Sequence, residues 1–482
     1  MNHCLVFPVV IPLLSAFILF ALGAKINLFF LLFFSLSSLS STLLLLKNTL
    51  TFGTMKYHIA GWGAPLGIDL YSDGLSIVWM LSSSIILFLI VLYSHSYWKS
   101  KEHPVKIKQA FYPLLFILWS GMNALFLSSD IFNLYVTLEV LTLTAVPMVA
   151  LSDKRGALLA SLRYLIVAVC GSLFYLLGVA FLYIGWGTLD ISLLAQSIKP
   201  CPLSWGALGL MTVGLMTKAA LFPFYFWLPP AHSQAPSPVS AILSGLVIKG
   251  PYYILIRFWN TIFLDIQNPL ISYCLGLLGA IAILWGAFQA LRQDRLKMLI
   301  AYSTVTQIGY LFLFFPLASG NRSVWEIAIV FALAHAFSKS ALFLVAGNIL
   351  CVYEKDTIAH LEGFPPCLNL SFFIFGLAGL SIMGIPPSGG FVGKWNIITI
   401  LCKTGQIWWI PIIVTGTLLS YAYILRVVRY SFSPKQSQED RKNPISFSMN
   451  LVALLLAAIS FSMGFFFLPL LDLLSIGSPF GQ

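Results

Sequence analysis

Lys218-Ala-Ala-Leu-Phe-Pro223-Phe-Tyr-Phe-Trp-Leu-Pro229-Pro230-Ala-His232-Ser-Gln-Ala-Pro236-Ser-Pro238 sets a lysine and five prolines inside sequence otherwise apolar enough to lie in a membrane. Proline removes a backbone donor and clashes with the preceding turn, so no regular helix is expected to run through this stretch. A second interruption, Gly384-Ile-Pro386-Pro387-Ser-Gly389-Gly390-Phe-Val-Gly-Lys394, again stands beside a lysine. Broken helices at membrane depth need protein or a water-lined cavity to satisfy their backbone, and corresponding breaks in two halves of a chain point to inverted repeats around a transport path. Two loops with local kinks are the plainer reading. The lysine beside each break favours the path.

Around these breaks the chain is built for lipid. Hydrophobic residues make up 59% and charged residues 9% of 482 positions, against about 25% charged in ordinary soluble domains. A spanning helix needs roughly 20 apolar residues. Runs of that kind fall at about 5–23, 28–46, 74–93, 110–128, 131–151, 162–185, 203–225, 238–260, 270–290, 298–317, 325–350, 368–402 (interrupted), 408–428 and 448–471. The expected class is an all-α polytopic membrane protein of about fourteen spans with two broken helices, because only helices and closed barrels satisfy their backbone in lipid. The alternation of a barrel strand is absent.

The net charge of +11 acquires meaning from its placement. With the first residues outside, seventeen Lys/Arg fall in loops and helix ends on the cytoplasmic side and six, Arg257 among them, on the other. That bias fits the positive-inside rule for a cell (inner) membrane protein with both termini outside the cytoplasm. It leaves no call for a nucleic-acid partner. Seven scattered cysteines without C-x-x-C spacing support neither zinc nor iron–sulfur ligation, so no metal or cofactor is expected. The first run lacks a basic n-region and reads as a retained helix.

Four lysines, Lys218, Lys249, Lys339 and Lys394, lie within the apolar runs together with one acid near the middle of a span, Glu139. Each charge at the bilayer centre costs at least about 2.5 kcal/mol on insertion scales, so the default reading is an ion or proton path. Burial and proximity shift a carboxylate and an amine in opposite senses, which lets a changing separation switch a lysine between holding and releasing a proton. A static buried pair that fixes helix packing is the bland alternative. His335 and Lys339 stand four apart and share a helix face as a titratable pair, although a lone His335 would more often be a hydrogen-bonded core residue. His232, among the prolines, either closes a half-channel or caps the break. Ser303, Thr304, Thr306, Gln307 and Tyr310 place hydroxyls and an amide on one helix without specifying an ion. Pro223 and Pro386 mark possible gates. No H-E-x-x-H or G-x-S-x-G is present, and the glycines before Lys394 fail the phosphate-loop spacing, so enzymatic chemistry on a substrate is not expected.

Ser129-Asp130-Ile-Phe-Asn133-Leu-Tyr-Val-Thr-Leu-Glu139, Lys218-Ala-Ala-Leu-Phe-Pro223, Trp227-Leu-Pro-Pro-Ala-His232, Lys249-Gly-Pro-Tyr-Tyr and Ala301-Tyr-Ser-Thr-Val-Thr-Gln307-Ile-Gly-Tyr310 occur in an order that carries a resemblance. The chain resembles the antiporter-like membrane subunits shared by respiratory complex I, membrane-bound hydrogenases and Mrp-type cation/proton antiporters. The resemblance implies fourteen helices: an N-terminal group over 1–104, two inverted five-helix repeats over 105–260 and 261–430, and a final loop and helix over 431–482. It also implies Glu139 as the modulating acid, Lys218 as its partner, Lys249 as a central relay, His335 and Lys339 on the polar axis, and Lys394 near the exit. The fourth complex I subunit usually carries glutamate at the last position. The Asp-x-Phe-Asn-Leu segment and Gln307 look most like the Mrp D type.

The expected function is a proton-translocating subunit of a multisubunit Na⁺/H⁺ antiporter, with other membrane subunits, protons, Na⁺ and the lipid bilayer as partners. A proton-pumping subunit of a hydrogenase- or quinone-reducing dehydrogenase-type complex is the alternative. A passive membrane scaffold is the reading of another class.

Overall fold

The computed structural model describes residues 2–100, 105–152, 154–318, 321–353, 356–362, 365–432 and 445–480. Lys101, Lys355, Lys435, Arg441 and Lys442, which belong to the cytoplasmic charge, lie outside the described residues. The helices run α1 (Phe7–Leu22), α2 (Leu28–Phe52), α3 (Gly74–Ser100), α4 (Val105–Leu127), α5 (Ile131–Ala150), α6 (Arg155–Trp186), α7 (Ile191–Ser197), α8 (Pro202–Lys218), α9 (Leu228–Gln234), α10 (Ser237–Ile242) and α11 (Lys249–Trp259). They continue as α12 (Pro269–Arg292), α13 (Leu296–Phe312), α14 (Arg322–Tyr353), α15 (Asn369–Met383), α16 (Gly389–Thr404), α17 (Ile410–Val428), α18 (Phe447–Ser462) and α19 (Phe467–Leu474). A two-stranded hairpin, β1 (Met55–His58) and β2 (Asp69–Ser72), pairs Met55 with Ser72 and His58 with Asp69. It lies between α2 and α3, clasped by Lys56 and His58, which reach Asp69 at 2.8 and 2.6 Å.

Among the described residues twelve helices are long and apolar enough to cross a membrane, or thirteen if α18 and α19 form one bent span. Fourteen were expected. The run over 203–225 falls out of this count because α8 stops after 17 residues at Lys218, and the run over 368–402 is divided at 384–388 into α15 and α16. The centre is formed by α10–α11, buried along its length, and by α14, buried over nearly all of it. Leu158, Leu162, Ile166 and Leu173 of α6 instead point outward, as a lipid- or partner-facing helix requires.

Both breaks end their first half-helix in the same way. At α8 the N–H of Leu221 bonds to Met216 O (3.1 Å) and that of Ala220 to Thr217 O (3.3 Å). At α15 Ile385 bonds to Leu380 O (3.0 Å) and Gly384 to Ser381 O (3.2 Å). This is the Schellman pattern, which needs a left-handed residue just past the helix. Gly384 takes it freely at φ +80°, whereas Ala220 holds φ +56°, at a cost of roughly 1–2 kcal/mol. Trp227 helps to hold it, donating its indole N–H to Thr217 O at 3.1 Å and stacking on Tyr164 with centroids 4.3 Å apart. A proline follows each left-handed residue at the same distance, Pro223 and Pro387. By contrast, the Lys-x-Ala-Leu-Phe likeness of 218–222 and 339–343 is incidental: the first ends a helix, and the second lies inside α14.

A second pair of matching features sits at nearly constant separation along the chain. An isolated antiparallel bridge ties Asp130, before α5, to Asp190, after α6, and another ties Arg295, before α13, to Thr357, after α14. A third irregularity carries no proline at its core: a π turn over Leu243–Val247 joins α10 to α11.

Close helix contact is made through glycine. A Cβ on Gly309 of α13 would lie 2.5 Å from Gly279 O and 2.8 Å from Ile283 N of α12, backbone atoms that cannot swing aside, and Gly279 meets Gly309 O reciprocally at 2.6 Å. Small residues let membrane helices approach in this way. Gly309→Ala is expected to destabilise the chain by about 1–3 kcal/mol, read as a lower thermal midpoint in detergent. Gly376→Ala, whose Cβ meets nothing within 4 Å, is expected to leave the midpoint unchanged.

Candidate proton path

The site begins where α5, α6 and the broken end of α8 meet. Glu139 on α5 accepts from Lys218 Nζ at 3.0 Å and from the hydroxyl of Ser172 on α6. Thr142, one turn beyond Glu139, accepts from the same ammonium at 3.1 Å. Lys218 is the last residue of α8, so the break fixes where its amine can reach. The pair is unequal in exposure: the Lys218 side chain is 5% and that of Glu139 20% accessible. A small cavity lined by Thr142, Tyr164, Lys218, Val247 and Pro251 leads from it toward the π turn.

Lys249, fully within the core, donates to Ser244 O at 3.1 Å. That carbonyl belongs to the π turn, whose altered hydrogen bonding frees it for a side chain. Ser244 Oγ stands 2.9 Å from Thr304 Oγ1 on α13, and Thr304 donates to Ile300 O at 3.1 Å. Lys339 of α14 donates to the same Ile300 O at 3.1 Å and to the Ser303 hydroxyl. The Tyr423 hydroxyl on α17 lies among Ser303, Gln307 and Ser420, 3.1 Å from the last. Gln307 Nε2 then donates to Ile382 O at 3.4 Å. Lys394 of α16 donates to that carbonyl at 2.9 Å and to Met383 O at 3.2 Å, with its charge 4.8 Å above the Tyr310 ring. The two carbonyls close the C-terminal end of α15, where the helix dipole favours a cation. A line of polar groups therefore leads from Lys249 to Lys394, with Tyr423 in electrostatic contact with Ser303 and Gln307 at its middle.

The histidines are placed differently. His335 lies within electrostatic range of Lys249 and Lys339, but neither ring nitrogen has a hydrogen-bond partner among the described residues. His232 in α9 stacks on Phe343 at 4.5 Å and also has both nitrogens unpartnered among those residues, within range of Lys297, Lys339 and Lys249. Pro223 and Pro386 sit in the two breaks.

Three participants were not foreseen. Tyr423 was hidden in a run read only for length, although its neighbours Ser420 and Tyr421 give that run a polar edge. Lys297, grouped with the loop charges Arg292 and Arg295, is 3% exposed and bonds to Ala235 O beside the first break. Arg257, also counted as a surface charge, is 5% exposed and forks onto Asp73 at 2.9 and 3.0 Å. The fold also brings Asp130 within electrostatic range of Asp190 and Asp69 at one end of the bundle. There burial first, offset by the N–H groups of Asn133 and Phe132, and then the two neighbouring charges push the Asp130 carboxyl above its usual value. Among the described residues no three His, Cys, Asp or Glu side chains converge to hold a metal ion.

Residues 128–420 match the family described as NADH:quinone oxidoreductase/Mrp antiporter, transmembrane. The chain belongs to this family. It is 31% identical to the N subunit of the NADH-quinone oxidoreductase of Desulforudis audaxviator, covering 89% of this chain and 86% of that protein. It is 27% identical to the D-type subunit of the Na⁺/H⁺ antiporter of Bacillus subtilis, covering 92% and 90%. Its fold superimposes on a chain of the Mrp complex of Dietzia with a TM-score of 0.88 at 23% identity, covering 99% and 96% of the two chains. The matched segment includes every lysine of the track together with Glu139.

Tyr423→Phe removes the hydroxyl that faces Ser303 and Gln307 while keeping the ring. Slower proton movement in vesicles, with unchanged assembly of the chain into its complex, is the expected result.

Proposed function

We propose that this chain is the proton-translocating subunit of a multisubunit monovalent cation/proton antiporter in the cell membrane, and not itself an enzyme. The observation that carries the reading is the track from Lys249 to Lys394, approached on one side by the Glu139–Lys218 pair. A lysine amine binds or releases a proton according to its surroundings, and each of these four is held by one or two oxygens that a small backbone movement would withdraw. Glu139 sets the charge felt by Lys218, Lys249 and Lys339 pass the proton between the halves with His335 beside them, and Lys394 releases it. His232, Pro223, Pro386 and Gln307 serve access and alignment.

Segments 105–260 and 261–430 act as two inverted repeats in this reading, after an N-terminal group over 1–104 and before a final part over 431–482. The paired Schellman breaks and paired bridges, each pair in matching positions, support it. The termini lie outside the cytoplasm, as the distribution of basic residues suggests, and other membrane subunits surround the chain. In this reading the second ion, Na⁺, is handled by those partners. The relation to the N subunit of the oxidoreductase favours a second reading, in which the same path is attached to a redox arm. Copurification from native membranes separates the two by the presence or absence of flavin or iron–sulfur subunits.

Lys218→Ala and Glu139→Ala are each expected to abolish Na⁺-driven proton movement in membrane vesicles while the subunit remains assembled. Wild-type rates in either variant would reduce the pair to packing. Purified alone in liposomes, the chain is expected to show little Na⁺-dependent exchange, which appears when its partners are added. Full exchange by the isolated chain would make it a complete transporter.

A further inference from the structure

The buried span formed by α10, the π turn and α11 ends in a cavity on each side. One cavity, of about 200 Å³, lies against Tyr97, Ala235, Pro236, Lys297 and Asp356. The other, of about 320 Å³, lies against Asp73, Ser128, Ser129, Arg257 and Thr261. They are at opposite ends of α3, which begins beside Asp73 and ends beyond Tyr97. Lys249 stands between them.

The two ends differ in chemistry. At the first, Asp356 Oδ2 and both nitrogens of His232 are buried without a partner among the described residues. At the second, each group is committed. Asp73 Oδ1 accepts from Arg257 (3.0 Å), Ser76 N (2.8 Å) and the Ser76 hydroxyl (2.8 Å), while Oδ2 accepts from Arg257 (2.9 Å). Arg257 also donates to Tyr253 Oη at 3.0 Å and to Ser76 Oγ at 3.1 Å. The single Tyr253 proton goes to Phe126 O at 2.7 Å. Lys249, Tyr253 and Arg257 are spaced by four and share a face of α11, so this cluster stands directly between Lys249 and the second cavity. An arginine effectively never gives up its proton. The Lys249 amine, moreover, turns back toward Ser244, away from Arg257.

We infer that the Asp73–Arg257 pair, with Ser76 and Tyr253, is a proton seal that closes Lys249 to the second cavity and leaves it open only toward His232 and Ala235. A water-filled opening at both ends of one span would let protons cross without engaging Lys339 and Lys394. The fixed guanidinium and the fully committed hydrogen bonds interrupt that shortcut, in the way that fixed positive charge excludes protons from other pores. This rests on the proton-path reading of Lys249.

The test uses the complex purified with its native partners in liposomes, with a pH jump, no cation gradient and an entrapped pH dye. The wild type is expected to hold the gradient. Arg257→Gln, Asp73→Asn and the double variant, which leaves no lone buried charge, are expected to dissipate it several-fold faster, and adding Lys249→Met to Arg257→Gln is expected to restore tightness. An assembled double variant as tight as wild type overturns the seal, as does a leak that persists without Lys249. Should these variants fail to assemble, Ser76→Ala decides: it keeps both charges but strips one hydrogen bond from each partner, and wild-type tightness there also overturns the seal. Because the leak is read without exchange, a wild type that leaks nothing but exchanges no ions contradicts the path reading and not the seal.

Discussion

A buried ammonium must find oxygen, and in a helical bundle the regular backbone offers little. An intrahelical carbonyl already accepts one bond and keeps only its second lone pair, so a lysine at membrane depth is served best where the helix is irregular or a neighbour carries a hydroxyl. The track meets this requirement with the three irregularities of the fold. Lys249 takes a carbonyl of the π turn, Lys394 takes the two that end α15, and Lys218, at the end of α8, turns to Glu139 and Thr142. Lys339, in an unbroken helix, depends on Ser303 and Ile300 of the next one. Three of the four lysines thus stand at an irregularity of the backbone, and the fourth is served by a neighbouring helix.

The matching geometry of the two breaks makes their difference informative. Lys218 precedes its left-handed residue by two positions, and Lys394 follows the other by ten, in the second turn of α16. Equivalent backbone thus presents a lysine on opposite sides of the break. At Ala220 the chain holds a conformation that glycine would take without cost, a sign that the position is held by its surroundings, Trp227 and Tyr164 among them. Strain of this kind is commonly kept at working sites.

Much of this was legible in the sequence because lysine and proline stand out in apolar runs. The breaks at Pro223 and Pro386, the helical class and the placing of Lys218, Lys249, Lys339 and Lys394 inside the bundle could be read directly. The π turn was not read, although Ser244-Gly245 is a pair at which helices can bend: one glycine in an apolar run does not announce a turn, and only the fold shows Gly245 pressed against Ser340 and Ala336 of α14. Tyr423 was missed because a phenol beside Ser420 and Tyr421 in an otherwise apolar helix does not show which of these groups turns inward. Lys297 and Arg257 were misplaced for a different reason: charges near span ends are ordinarily solvated, and only the tertiary fold shows that these two are enclosed.

Proton flux through Lys394→Arg in the assembled complex tests the relay most directly. Arginine keeps the charge and donors enough for the carbonyls of Ile382 and Met383, but it does not release its proton. If the lysines relay protons, Na⁺-driven proton movement in vesicles stops in this variant as completely as in Lys394→Ala, with the complex intact. Transport at the wild-type rate would show that the charge at the second break is an electrostatic fixture, and the relay would have no exit.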